Sequence, residues 1–348
     1  MYSESFTDAL RCVVCVFLII LGGTGFAEST FRETITNGTP SAVSSAIEAG
    51  ADVNAPFGDD RWTPLEVALT YNSTLDVVRV LLEGGADAGA ADQMQNTHLH
   101  TIVAMSYGES FDFELIDLLT SAGADINARN FHGETPLFNA LVPALVEFLL
   151  ESGAEIGIRT HAGRTALMRD IDRYRYPATI QALLAHGLDV NARSNYGRTA
   201  LMFASGGDIT LEIWDYEYYY NPGVIQVLVE AGADANAADD TGRTPLMYGA
   251  YNRVPETVEQ LLAAGAHVNA VDETGQSALA IAARYNDNPE VIRLLLSSGA
   301  DASVRNDAGE TPLEIARHYN NRPEIVELLA VPRAPAARAA APALKTHP

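Results

Sequence analysis

The sequence predicts an all-α solenoid of stacked helix–turn–helix pairs with hairpin-like loops, and three observations carry that prediction. A short phrase returns eight times, as Thr63-Pro64-Leu65, Thr97-His98-Leu99, Thr135-Pro136-Leu137, Thr165-Ala166-Leu167, Thr199-Ala200-Leu201, Thr244-Pro245-Leu246, Ser277-Ala278-Leu279 and Thr311-Pro312-Leu313. Its successive starts lie 34, 38, 30, 34, 45, 33 and 34 residues apart. A second phrase keeps step with it: Gly50-Ala51-Asp52, Gly85-Ala86-Asp87, Gly123-Ala124-Asp125, Gly153-Ala154-Glu155, Gly187-Leu188-Asp189, Gly232-Ala233-Asp234, Gly265-Ala266-His267 and Gly299-Ala300-Asp301. Between the two, apolar residues recur at helical spacing, as in Val291, Ile292, Leu294, Leu295 and Leu296. Phrases locked in phase at such a period mark an array whose single units cannot bury their apolar faces alone.

Each element has a mechanical reason. Thr caps a helix N-terminus, and Pro at the first helical position loses only an amide that would be orphaned anyway. Thr-Pro therefore starts a first helix, with Leu its first buried residue. A second helix follows, often opened by its own proline: Pro177, Pro222, Pro255, Pro289 and Pro323. The glycine that closes it occupies the left-handed position after a helix end. A polar stretch such as Asp234-Ala235-Asn236-Ala237-Ala238-Asp239-Asp240-Thr241-Gly242 then suits a hairpin-like turn.

With those phrases in place, the chain resembles an ankyrin-repeat protein, whose unit of ~33 residues is a β-turn plus two antiparallel helices. The resemblance runs from about Phe31 to Ala330 and implies nine units within an ankyrin-repeat domain at 28–330. Phe31–Ala55 reads as a degenerate first unit, and Thr311–Ala330 lacks a following Gly-Ala-Asp, as a terminal cap would. The family places a His after Thr-Pro-Leu that braces the turns. Only His100 keeps it; Glu66, Phe138, Met168, Met202, Met247, Ala280 and Glu314 stand at the other matching positions. Several turns are therefore expected to be held by packing rather than by that hydrogen-bonding residue. The third Thr-phrase opens a short unit, where Leu141-Val142-Pro143 leaves little room between helices. The fifth carries an insertion at 205–222.

The two ends read differently from the repeats. Arg11 precedes the apolar run Cys12–Leu21, and Gly25-Phe26-Ala27 supplies the small-x-small pattern of a signal-peptidase cut after Ala27. The run is shorter than the roughly 20 residues that span a bilayer. The expectation is a signal peptide at 1–27 and an exported, periplasmic or secreted protein. The alternative is an uncleaved segment that anchors it in the inner membrane, since Glu4 and Asp8 make an atypical start. Both cysteines, Cys12 and Cys15, lie in this segment, so a processed chain carries no thiol, in keeping with an oxidising compartment. Residues 331–348 are Ala/Pro-rich without periodicity, the composition of a disordered tail.

Composition and spacing weigh against catalysis. The 45 acidic and 22 basic residues give a net charge of −23, the wrong sign for displacing phosphate counterions. A nucleic-acid partner is not expected; a basic or neutral protein partner suits this surface better. The membrane enters only if the N-terminal segment is uncleaved. The eight histidines form no His-Glu-x-x-His pair, and His98 and His100 are two apart, which points them to different helix faces. Asp234, Asn236, Asp239, Asp240 and Gly242 miss the spacing of a calcium loop. No Gly-x-Ser-x-Gly elbow is present. No enzyme, metal or cofactor is expected.

Binding is the better-supported chemistry. In the resembled family, hairpin tips and inner-helix ends contact partners. Carried over, the tips are Trp62, Asn96, Glu134, Arg164, Arg198, Arg243, Gln276 and Glu310, and the helix ends include Tyr71, Arg173, Tyr251, Tyr285 and Tyr319. Trp, Tyr and Arg dominate interface hot spots because they offer large rigid area or a forked donor. The insertion adds Trp214, Tyr216, Tyr218 and Tyr219, and Tyr174 follows Arg173 in a similar run just before it. That loop reads either as a partner patch or as a strap that folds back to seal units of unequal length. The function expected is a protein–protein interaction scaffold; alternatives are a membrane-anchored structural scaffold and a secreted effector acting on host proteins.

Overall fold

A computed structural model describes residues 24–58, 61–71, 74–105, 113–173, 176–206, 222–320 and 322–331. Among them every named element is helical, the only strand-like pairings being isolated bridges such as Ala91 with Thr97 and Val271 with Ser277 at hairpin bases. The described residues divide into two compact units, one within Met1–Ala140 and Ala144–Glu155, the other within Leu141–Pro143 and Ile156–Pro348.

The N-terminal unit holds α1 (Thr24–Asn37), α2 (Pro40–Glu48), α3 (Pro64–Tyr71), α4 (Leu75–Glu83), α5 (His98–Ala104), α6 (Phe113–Ser121), a single 3₁₀ turn at Pro136–Asn139, and most of α7 (Pro143–Glu151). That turn replaces the inner helix of the short unit, with Leu137, Phe138 and Asn139 all buried. The core is built from Ile35, Leu65, Leu81, Leu99, Ile116, Leu119, Leu145 and Leu149, all almost wholly inaccessible.

The C-terminal unit holds α8 (Ala166–Arg173), α9 (Pro177–Ala185), α10 (Ala200–Gly206), α11 (Pro222–Glu230), α12 (Pro245–Tyr251), α13 (Pro255–Ala263), α14 (Ala278–Tyr285), α15 (Pro289–Ser297), α16 (Pro312–Ile315), which runs into a π turn at Ala316–Asn320, and α17 (Pro323–Ala330). One apolar core runs through this unit from Leu167 to Leu329. Inner helices α8, α10, α12, α14 and α16 pack in sequence, as do outer helices α9, α11, α13, α15 and α17. No described helix is long and apolar enough to cross a membrane.

The glycine of the second phrase does what its position requires: at all eight sites φ lies between 86° and 100°, where a Cβ would be strained. The tip glycines Gly163, Gly197, Gly242 and Gly275 have a second reason. A Cβ on Gly163 would sit 2.2 Å from Asn195 Oδ1 of the next tip.

The first phrase caps its helices less uniformly than expected. The hydroxyls of Thr63, Thr165, Ser277 and Thr311 accept the amides of Glu66, Met168, Ala280 and Glu314. Those of Thr135, Thr199 and Thr244 are buried without a partner. The reason lies in the backbone. There the amides of Phe138, Met202 and Met247 donate to the carbonyls of Thr135, Thr199 and Thr244, so the helix opens as a 3₁₀ turn and the hydroxyl has no amide to accept.

The residue after Thr-Pro-Leu also divides into classes. His100 Nδ1 accepts from the Thr97 amide at 3.1 Å, and its Nε2 donates to the Glu134 carbonyl at 2.9 Å, tying one hairpin to the next. Phe138, Met168, Met247 and Ala280 are buried and fill space. Glu66 and Glu314 depart from the packing expectation: their carboxylates accept from Thr63 and Thr311 at 2.6 and 2.7 Å, completing reciprocal capping boxes.

Candidate functional site

Two ladders position the surface that the inner helices present. The first lies at the hairpin tips. Asp239 and Asp272 each accept the amides two and four residues on, closing their tips. Successive tips join through Glu273 N–H to Thr241 O and Asp307 N–H to Thr274 O. The Asp239 oxygens also receive Tyr248 Oη at 2.6 Å. Burial pushes the Asp239 carboxyl up, but the bonds from Tyr248, Thr241 and Arg243 outweigh it and hold it below the usual range. Burial and the bond to Asp239 push the Tyr248 phenol well up. The oxygens of this acidic stretch are thus spent on folding.

The second ladder lies at the other end of the inner helices and was not foreseen. Asn252 and Asn286 follow the tyrosines that end inner helices α12 and α14, and Asn320, the last residue of the π turn, follows Tyr319. Asn286 Nδ2 donates to the carbonyls of Ala250 and Asn252 at 2.9 and 2.6 Å; Asn320 repeats this on Ala283 and Asn286 at 3.2 and 2.7 Å. Asn252 reaches Ser205 O at 3.3 Å. The signal was available as a recurring Tyr-Asn pair. It escapes a search built on capping and turn phrases because its role depends on a neighbour 34 residues away.

Between these ladders the structure gathers five of the expected residues: Arg243, Tyr251, Gln276, Tyr285 and Tyr319. Tyr251 and Tyr285 lie with ring centroids 5.1 Å apart. Arg243, Met247, Tyr248, Tyr251, Gln276, Ile281 and Tyr285 line a recess of about 180 Å³. Tyr319 joins through a residue that the sequence reading missed: the Arg284 guanidinium stands 4.0 Å from the Tyr319 ring and 5.2 Å from the Tyr285 ring. His318 stacks on Tyr319 at 4.4 Å and faces Glu310 at 3.6 Å. Tyr285 and Tyr319 remain 48% and 45% exposed, and such rings side by side mark an interaction surface more than scattered ones do.

The other candidates sit elsewhere. Arg164 lies 4.7 Å over the Phe203 ring and Arg198 lies 5.7 Å over Tyr248, so both brace neighbouring inner helices. Arg243 also meets Asp272 at 3.5 Å. In the N-terminal unit Trp62 and Tyr71 form a separate stacked pair at 5.6 Å, with Tyr71 exposed. Arg173 ends α8, but its side chain lies outside the described residues, as do Tyr174, Trp214, Tyr216, Tyr218 and Tyr219. Of the insertion at 205–222, Ser205 and Gly206 close α10 and Pro222 opens α11. The exposed apolar tips are Met94, Phe131 and Tyr196 rather than the residues before each Thr.

Three buried ionisable groups lie outside this surface. Burial lowers the pKa of His98 and of His100, against weaker bonds to the carbonyls of Ala88 and Glu134. Burial raises Asp170 on α8 to about 7, against a smaller pull from the Tyr176 amide.

Known proteins resemble the chain in a consistent way. The family described as ankyrin repeats matches in three copies, over residues 137–213, 217–272 and 250–337, which together exceed half the chain. The BRCA1-associated RING domain protein 1 of Caenorhabditis elegans is 35% identical over 115 residues, 32% of this chain and 15% of that protein. The phosphocholine transferase AnkX of Legionella pneumophila is 31% identical over 117 residues, 33% of this chain and 12% of that protein. The human neurogenic locus notch homolog protein 1 is 33% identical over 153 residues, 43% of this chain and 6% of that protein. The chain thus spans at most 15% of the length of these relatives. The crystal structure of the ankyrin repeat domain of Bcl-3, a unique member of the IkappaB protein family, is 30% identical with a TM-score of 0.52, covering 67% of this chain and 98% of that one.

Proposed function

Because this chain belongs to the ankyrin-repeat family, we propose that it is a protein-binding scaffold whose partner docks on the inner-helix face of the C-terminal unit. Ankyrin repeats are protein–protein interaction modules, and the fold is generally a binding scaffold without catalysis. The observation that carries the choice of face is the row of Tyr251, Tyr285 and Tyr319, half-buried or exposed, beside a recess with Arg243 at its edge. Rigid aromatics around a concave patch concentrate binding energy at little entropic cost. AnkX, a transferase, is matched over only 12% of its length, so its activity is not carried over.

A photo-crosslinking residue at Tyr251, Tyr285 or Tyr319 is expected to capture a discrete product in cells. The same residue at the exposed outer-helix Glu259 is expected to capture none. Product at Glu259 alone, or at Tyr218 of the insertion alone, would move the interface there.

The same proposal places the protein outside the cytoplasm. Its support is the segment 1–27, with its apolar run and its small residues before Glu28. Intact mass from the periplasmic fraction should start at Glu28. A membrane-bound chain of full mass would instead favour an anchored scaffold, and recovery from a host cell would favour an effector.

A further inference from the structure

The outer helices and the inner face of the C-terminal unit differ in charge. Outer helices α11, α13, α15 and α17 carry Glu230, Glu256, Glu259, Glu290, Glu324 and Glu327 against one cation, Arg293, which pairs with Glu290 and Glu324. On the same unit Arg193 meets Asp240, Arg243 meets Asp272, Arg253 and Arg322 share Asp287, and Arg305 meets Glu314. With 45 acids for 22 bases, a cation that finds no carboxylate is an exception that needs a reason.

Arg284 and Arg317 are such exceptions: among the described residues neither has a carboxylate within ion-pair distance, and they stand one repeat apart. Arg284 is half-buried and held, its guanidinium over Tyr319 at 4.0 Å and near Tyr285 at 5.2 Å. Among the described residues the Arg284 side chain has these ring contacts and no hydrogen bond or ion pair, which leaves its N–H edge available. That edge matches the two oxygens of a carboxylate, and holding it in place removes part of the ordering cost of binding. Glu310, at the hairpin tip before Thr311, faces His318 at 3.6 Å. Tyr285, whose ring lies 5.2 Å from the guanidinium, also lines the recess, with Met247, Tyr251 and Ile281 as apolar wall and Arg243 and Gln276 as polar rim. Its volume of about 180 Å³ suits one apolar side chain.

We propose that Arg284, in contact with the rings of Tyr285 and Tyr319, captures an Asp or Glu side chain of an acidic partner segment, whose neighbouring apolar side chain enters the recess. This rests on the inner face being the docking surface and adds the chemistry of what docks. The net charge of the chain suits a basic partner overall; the local arrangement selects an acidic one at this point.

The test pans a displayed library of random peptides against the full chain, then measures the selected peptide by fluorescence anisotropy. Enrichment of Asp or Glu beside an aromatic or aliphatic residue is expected. Replacing that acid by its amide, or Arg284→Ala in the protein, should each weaken binding at least tenfold, equivalent to about 1.4 kcal/mol. Combining the two should add little further loss, because both remove the same pair. Arg284→Lys should restore only part of the affinity, since an ammonium lacks the fork. Basic or acid-free selected peptides, an Arg284→Ala variant that binds as the wild type, or no enrichment by the folded chain would each overturn the proposal. A phosphoserine peptide bound at least tenfold more tightly than the Glu peptide would overturn it in favour of a phosphorylated partner. If Tyr251→Ala and Tyr285→Ala abolish binding while Arg284→Ala does not, the docking face stands and the acidic partner falls. If none of the three matters, the docking face itself falls.

Discussion

In the C-terminal unit three successive inner repeats end on Tyr251, Tyr285 and Tyr319, each followed by a buried or half-buried asparagine that ties it to the repeat before. In the N-terminal unit the corresponding elements end on Tyr71, on Ala104, and in a 3₁₀ turn with no helix end at all. Repeat spacing separates the two. The Thr-phrases from Thr244 onward start 33 and 34 residues apart, whereas those from Thr63 to Thr165 start 34, 38 and 30 apart. Constant length returns the same side chain to the same height on the next helix, so residues can stack and share carbonyls across repeats. Variable length breaks the row and leaves isolated pairs such as Trp62 with Tyr71.

The difference can be broken hardest in the core. Leu279→Ala, at a wholly inaccessible site in the regular unit, should cost about 3–4 kcal/mol in urea unfolding, because stacked helices on both sides hold the cavity open. Leu137→Ala, in the 3₁₀ turn, should fall near 2 kcal/mol because a short turn relaxes more readily. Equal costs would remove the link between regular spacing and rigidity.

Asn286→Ala should come next. It strips the donor from the carbonyls of Ala250 and Asn252 in a fully buried setting, for a loss of about 2–3 kcal/mol by the same measurement. A change under about 0.5 kcal/mol would mean the ladder only accompanies the stacking.

Acidification should then move the two units in opposite directions. His98 and His100 have folded pKa values below 6.5, so their contribution is present above 6.5 and is lost as pH falls through the lower folded values. Asp170, raised from 3.8 to about 7, contributes stability at low pH that is lost as pH rises towards 7. Between pH 7 and 5, hydrogen exchange corrected for intrinsic rates should show α5 losing protection and α8 gaining it. Parallel changes would contradict the burial of one group or the other.

The smallest effect belongs to the surface. Tyr285→Ala removes a half-exposed ring and its contact with Tyr251 and should cost at most about 1 kcal/mol of stability. A larger loss would make that ring part of the fold rather than of the docking face.

Much of this was legible in the sequence, for physical reasons. The eight Gly-Ala-Asp-type phrases mark left-handed helix ends, and only a narrow set of residues accepts that geometry. The Thr-phrases locate the inner helices, although three of the hydroxyls go unused. The Tyr-Asn pairs were visible too, but a dipeptide does not reveal that its amide bonds a carbonyl one repeat away. The insertion's Trp214, Tyr216, Tyr218 and Tyr219 lie outside the described residues.

By itself, then, the sequence determined the helix–turn–helix unit, its period, where helices begin and end, and which apolar positions face inward. Those features follow from local backbone preference and from burial, and both act within a few residues. Only the tertiary structure decided that Arg284 meets the rings of Tyr285 and Tyr319, that three asparagines form one ladder, and that Glu66 and Glu314 cap where packing was expected. The first two arrangements need side chains about one repeat apart to share a height, a property of stacking that no single unit contains. The third depends on rotamers, which the choice of residue permits but does not dictate.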